Sequence, residues 1–329
     1  MKDMIVLCSP SDSHLGLFDD LNDNPNVFLK YIRIKRLPIV GDLIGKILLG
    51  HRVNKTIHVP YKHIWTSYRI ENLSGVKYAL ITNSALYYLK IDYLCRLKEK
   101  DIKLFLLMTD ALDADSFILK GFRSIILSDF WDCIYTFDKK DSEKYGFRYS
   151  GYHYYSINKK IQNNNTLHPI NDVYFVGGMK GGREGVINDT YKYLYLKGCK
   201  CLFDLSAGGK KVEKLKGVHY HIGWISYQEV LRSVSNSKCI LEIMQENQAG
   251  ATLRYFEAVC YNKKLLTNNT NIINFPYYNE KWMRIFKKPS DIDIDWILND
   301  DIVDYHYSGD FSPNFLIDRI LNEFELKIK

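Results

Sequence analysis

The chain has 329 residues, 46% apolar, 14% aromatic and 25% charged, with 45 basic against 38 acidic side chains and a net charge of +7. At roughly 100–200 residues per domain this suffices for two hydrophobic cores. The apolar share is too high for charge repulsion to hold the chain open, which excludes a disordered or fibrous protein.

Residues 4–8 are a short apolar run followed by a polar turn, as expected of a first buried strand. The run is too short for the apolar region of a secretory signal, so export is not expected. Residues 28–55 hold most of the positive excess: Lys30, Arg33, Lys35, Arg36, Lys46, Arg52 and Lys55 stand against the single acid Asp42. Apolar residues from Tyr31 to Leu49 are interleaved with them. A basic segment with an apolar face suits an anionic membrane surface, where each nearby Lys or Arg adds about 1 kcal/mol. The plainer alternative is a core helix with solvated cations. No recognition module accompanies the charge, so no nucleic-acid partner is expected.

Residues 78–82, 104–108 and 133–137 repeat the buried-strand form, and the segments between them are long enough for helices. One is 85–100, where Leu86, Leu89, Leu94 and Leu97 suggest an apolar face. Polar 138–144 followed by Gly146 predicts a short helix with its terminator. This alternation predicts a parallel sheet covered on both faces. Residues 150–171 lose all periodicity and have the composition of a linker. The alternation restarts with a strand at 172–176, a glycine-rich loop, a helix at 184–196 and strands at 200–205 and 217–222. Ser226 and Glu229 then form a capping box, followed by a strand at 238–244, a helix at 252–261 and a strand at 264–267. No run anywhere approaches the roughly 18 uninterrupted apolar residues of a spanning helix. The seven cysteines are odd in number, dispersed and mostly within apolar runs, which suits reduced core residues of a cytoplasmic protein. The chain thus reads as two α/β domains, residues 1–165 and 166–311. A terminal helix, 312–329, opens on Ser312-Pro313 and is able to pack back on the first domain.

Two segments carry recognisable chemistry. In KCILEIMQENQAGATLRYFEAVCYNKKLLTNN, residues 238–269, a strand ends, a loop turns at Gly250, and a helix opens bearing Thr252, Arg254 and Glu257. Helix-opening amides attract an anion, Gly250 permits close approach, and Arg254 offers a planar fork to phosphate. Glu257 lies one turn beyond Arg254, placed to accept from sugar hydroxyls; the plain alternative is a surface ion pair between the two. In DVYFVGGMKGGREG, residues 172–185, a strand runs into five glycines with Lys180 and Arg183 as cations. This is not a Walker loop, and the dinucleotide fingerprint fits only loosely. Two such loops at carboxyl ends of one parallel sheet point to a diphosphate ligand.

The order FVG-loop-Arg, GWISYQEVL, then the segment just quoted resembles the carboxyl-terminal domain of bacterial polysaccharide glycosyltransferases of GT-B architecture, enzymes of capsule, exopolysaccharide and lipopolysaccharide assembly. The resemblance covers residues 172–274 well and the rest loosely. It implies two Rossmann-like doubly wound domains facing a cleft. It also implies a nucleotide-sugar site lined by Gln248, Gly250, Thr252, Arg254 and Glu257, with Gly223 near the base and Lys180 and Arg183 at the diphosphate. The partners implied are a nucleotide-sugar donor and a saccharide or lipid-linked acceptor, with no metal or other cofactor, at the cytoplasmic face of the cell membrane. Many such enzymes carry a second glutamate eight residues before the one matched by Glu257, where this chain has Ala249, so inverting and retaining outcomes both stay open.

An acceptor hydroxyl needs a base, and the candidates are Asp12 and His14 after the first strand and Asp110, Asp113 or Asp115 after residues 104–108. Asp113-Ala-Asp115 also has the form of the metal motif of the other major transferase fold, which two repeated α/β domains fit less well. His58, His63, His153, His219 and His221 show no metal-ligand spacing along the sequence. A sugar-nucleotide epimerase of the same fold and a non-catalytic membrane scaffold are the rival readings.

Overall fold

The computed structural model describes residues 2–35, 62–70, 72–113, 117–150, 154–163, 169–179, 182–206, 214–221, 225–245 and 250–325. Its contacts divide the chain into two compact units, Met1–Ser156 with Phe311–Lys329, and Ile157–Asp310.

The first unit is built on strands β1 (Met4–Cys8), β2 (Val27–Tyr31), β5 (Tyr78–Thr82), β6 (Lys103–Met108), β7 (Cys133–Thr136) and β8 (Arg148–Tyr149). All pair in parallel, in the order β2-β1-β5-β6-β7-β8. A separate antiparallel pair joins β3 (Arg33–Ile34) to β4 (Thr66–Ser67). Strand side chains alternate between faces, so the unbroken apolar runs of β1, β5 and β6 feed two cores. Ile5, Leu7, Ala79, Ile81, Leu104 and Leu106 lie on one face. Met4, Val6, Cys8, Leu80, Phe105 and Leu107 lie on the other. The helices are α1 (Pro10–Leu15), α2 (Ile91–Lys98), α3 (Phe117–Ile126) and α4 (Lys139–Tyr145). Leu94, Leu97 and Leu119 of α2 and α3 join the first core.

In the second unit a short helix α5 (Lys159–Gln162) precedes β9 (Asn171–Gly178) and helix α6 (Glu184–Leu196). Strands β10 (Cys201–Ser206) and β11 (Val218–His221), helix α7 (Tyr227–Ser235), β12 (Ser237–Glu242), helix α8 (Leu253–Cys260), β13 (Lys264–Thr267), β14 (Met283–Ile285) and helix α9 (Ile294–Leu298) follow. The sheet is again all parallel, in the order β11-β10-β9-β12-β13-β14. One face packs Val173, Phe175, Phe203, Leu205 and Leu241 against Ile187, Tyr191 and Leu194 of α6. Helix α10 (Pro313–Glu325) belongs to the first unit, where Leu316, Ile317 and Ile320 are fully buried in the second of its two cores. A buried Leu or Ile contributes about 1.5–3 kcal/mol, so this helix is a substantial part of that unit's stability.

Three elements depart from the sequence expectations. The helix expected over 85–100 is a 3₁₀ turn, Asn83–Tyr87, followed by α2. Lys90 is extended between them, and the turn is held by Asn83 Oδ1, which accepts from both the amide and the hydroxyl of Thr109 at 2.7 Å. The polar turn after β1 is helix α1, whose Ser9 cap, Pro10 first turn and Asp12 form a capping box. The described start of the basic stretch is edge strand β2 rather than helix; Phe28 is exposed and Val27 buried, the period of a half-covered strand. Residues 36–55, with Arg36, Lys46, Arg52 and Lys55, lie outside the described residues. Among the described residues no helix is long and apolar enough to cross a membrane.

Candidate functional site

In an open parallel sheet, adjacent strands whose following connections depart in opposite directions leave a crevice at their carboxyl ends, and ligands bind there. In the second unit that place lies between β9 and β12. Arg183, just before α6, spans it: Nε donates to Gly178 O at 3.0 Å and Nη1 to Ile243 O at 2.6 Å. Gly177 makes the path possible, because a Cβ there would stand 2.9 Å from Arg183 Nη2. Burial, and then the neighbouring charge of Arg254, lowers the Arg183 pKa, so two guanidinium groups share this end of the sheet.

Thr252 caps α8, its hydroxyl accepting from Arg254 N at 3.1 Å and donating to Glu242 Oε1. Thr267, paired with Glu242 across β12 and β13, donates to Glu242 Oε2 at 2.5 Å. Glu242 is buried, which raises its pKa against the pull of these hydroxyls and of Arg254. The Gly250 carbonyl accepts from Asn269 Nδ2 at 3.4 Å, tying the loop to the end of β13. Glu257 is fully buried; its Oε1 accepts from Arg254 Nη2 at 2.7 Å and from the Tyr227 hydroxyl at 2.8 Å. Burial pushes its carboxyl up to about 7, with Arg254 and Tyr227 pulling the other way. Its Oε2 is buried without a hydrogen-bond partner among the described residues. A buried polar atom left unpaired costs about 1–3 kcal/mol.

Arg183, Gly250, Thr252, Arg254 and Glu257 therefore come together at the carboxyl end of one sheet, while Lys180, Gly223 and Gln248 lie outside the described residues. Glu242 was missed by sequence reasoning, although a lone carboxylate in the apolar run CILEIM was its signal.

In the first unit the corresponding crevice lies between β1 and β5, and Asp12 spans it. Asp12 Oδ2 accepts from Ser9 N at 2.8 Å, Ser9 Oγ at 2.9 Å, Thr82 Oγ1 at 2.9 Å and Ser84 Oγ at 3.0 Å. None of these contacts uses Oδ1. Burial raises the Asp12 pKa and outweighs the four donors. Asp110, two residues beyond β6, is exposed, yet desolvation and then the Asp12 charge raise its pKa. His14 lies exposed in the last turn of α1. Asp113 is engaged elsewhere, by Arg123 at 3.0 Å and Lys144 at 2.8 Å, and Asp115 lies outside the described residues.

No protein-family model and no curated protein sequence matches the chain. Solved structures do. An α-glucosyltransferase in complex with UDP and a 13-mer DNA containing a central A:G mismatch superposes with TM-score 0.58 at 11% identity, covering 100% of each chain. A UDP-GlcNAc 2-epimerase from Neisseria meningitidis bound to UDP-GlcNAc gives 0.48 at 10% identity, over 98% of this chain and 100% of that one. The glycosyltransferase SnogD from Streptomyces nogalater gives 0.36 at 11% identity, over 83% and 84%. The likeness is one of fold: two parallel-sheet α/β domains of the kind found in GT-B glycosyltransferases.

Proposed function

We propose that the chain is a glycosyltransferase that moves a sugar from a nucleotide-sugar donor, UDP-linked in the first instance, to a saccharide or lipid-linked saccharide acceptor of bacterial surface polysaccharide synthesis. The observation that carries this is the presence of two guanidinium groups, Arg183 and Arg254, at the same end of the sheet, the second in the opening turn of α8. Arginine forks and helix amides neutralise a diphosphate. The chemistry is positioning of the donor and stabilisation of charge on the departing diphosphate. Arg183, Arg254, the amides near Gly250 and Lys180 supply that stabilisation. The acceptor proton goes to Asp12 through Oδ1, with burial holding the Asp12 pKa up and Asp110 and His14 as the remaining candidates. Residues 28–55 hold the protein on an anionic membrane face, in keeping with a lipid-linked acceptor.

A second reading of the acceptor has one observation in its favour. The α-glucosyltransferase that matches over both full lengths was solved with DNA beside UDP, and a basic stretch suits a nucleic-acid polyanion as well as a lipid surface.

Calorimetry with UDP and GDP tests the donor site: UDP binding that is weakened in Arg183→Ala is expected, and no binding of either nucleotide would leave only the scaffold reading. Incubation with UDP-sugars and labelled acceptors then separates the rest. Label on a lipid-linked saccharide supports the first acceptor, label on duplex DNA the second, and a new sugar isomer without acceptor marks an epimerase. Liposome binding that survives neutralisation of Lys30, Arg33, Lys35 and Arg36 would remove the membrane claim alone.

A further inference from the structure

Asp204, His219 and His221 form a cluster separate from the residues assigned to the donor. His219 and His221 are alternate residues of β11, so both side chains leave the same face of the strand. The register sets Asp204 of β10 beside His219. Asp204 Oδ1 lies 3.3 Å from His219 Nδ1 and 2.9 Å from His221 Nε2. The three atoms all fall within 4.8 Å of one another. Asp204 is only 7% exposed, whereas the histidine side chains are 60% and 37% exposed, so a buried carboxylate anchors two imidazoles that face solvent at the edge of the sheet.

We propose that these three side chains bind a divalent transition-metal ion, zinc in the first instance. Zinc held by nitrogen and oxygen at about 2.0–2.1 Å sets neighbouring ligand atoms about 3.3 Å apart in a tetrahedron, close to the two separations from Asp204 Oδ1. Two imidazoles with one carboxylate are a donor set for zinc and its transition-metal neighbours. Magnesium and calcium call for more oxygen ligands than the cluster offers. Three protein ligands leave one position of the tetrahedron for water. The ion clamps edge strand β11 onto β10. Register then carries the clamp inward, His221 lying beside Ser206 and Ser206 beside Gly178, whose carbonyl holds Arg183 Nε. The ion is a brace for the sheet that presents Arg183 and takes no part in group transfer. It stands whether or not the glycosyltransferase reading does.

The test is zinc titration by calorimetry of the full chain, stripped beforehand with a chelator, alongside His219→Ala, His221→Ala and the double variant. The histidines are exposed, so these substitutions leave the fold intact, as far-ultraviolet circular dichroism will verify. One zinc per chain is expected, bound at least about tenfold more weakly in each single variant and not at all in the double variant. Thermal unfolding of the wild type should rise in zinc and not in magnesium, with the rise gone from the double variant. A wild type that binds no zinc overturns the proposal, as does binding that persists undiminished in the double variant.

Discussion

At the switch point of the first unit a carboxylate, Asp12, reaches from the end of β1 to the end of β5; at that of the second a guanidinium, Arg183, reaches from β9 to β12. The two sheets are both all parallel but differ in strand order, the first strand lying second from the edge in one and third in the other; in each the order reverses beside that first strand, so the backbone offers a crevice there in both. What differs is the charge of the side chain that follows the first strand of each unit, and the company it keeps. Asp12 is buried, which raises its pKa against the pull of the Ser9, Thr82 and Ser84 donors, an arrangement that suits a base. Arg183 is paired with Arg254 above buried carboxylates, an arrangement that suits a polyanion. Two sheets that reverse beside their first strand thus carry side chains of opposite charge at the crevice.

Five experiments would break or sharpen that contrast, the largest expected effect first. Arg254→Met should lower both UDP affinity and turnover, the latter by about 100-fold or more. Asp12→Asn should lower turnover to a similar degree and leave UDP affinity unchanged, as calorimetry and initial rates will show. The division of labour fails if Asp12→Asn weakens UDP or Arg254→Met does not.

The next concerns pH. Glu257 is pushed up to about 7 from an ordinary 4.5. A carboxyl raised on folding contributes stability that is full below about 4.5 and lost as pH climbs through about 7, on the order of 3 kcal/mol. Urea midpoints between pH 5 and 8 should therefore fall in the wild type and fall less steeply in Glu257→Gln. Equal slopes would mean that Glu257 is ionised throughout.

Gly177→Ala tests whether Arg183 must cross the sheet. The added methyl stands 2.9 Å from its guanidinium, and displacing a charged hydrogen bond should weaken UDP about tenfold, read by calorimetry. The smallest effect belongs to Ser9→Ala, which removes the cap of α1 and a donor to Asp12. It should cost about 1 kcal/mol in urea unfolding and leave UDP affinity untouched.

Much of this was legible in the chain itself. Strand runs at 78–82 and 264–267, the helix at 184–196 and the capping box of Ser226 and Glu229 coincide with the structure. Each is a local signal: apolar runs bounded by turns, or a cap three residues from its carboxylate. The departures arose where a side chain answered to something remote. The expected helix is interrupted at extended Lys90, and the turn ahead of it opens on Asn83, whose carbonyl oxygen is committed to Thr109, one strand away. The start of the basic stretch became a strand because β1 was there to pair with it. Gln248, Gly223 and Lys180 lie outside the described residues and stay with the resemblance that suggested them.

The sequence by itself determined that there would be two parallel α/β sheets, and it named the loop and helix carrying Gly250, Thr252, Arg254 and Glu257. Only the tertiary structure decided that Glu242 lies under Thr252, that Arg183 is held by the end of β12, and that Asp204 meets His219 and His221. Periodicity and capping are properties of neighbours along the chain, set by backbone geometry within a few residues. The register between strands is set by burial of whole faces, and no single segment contains it.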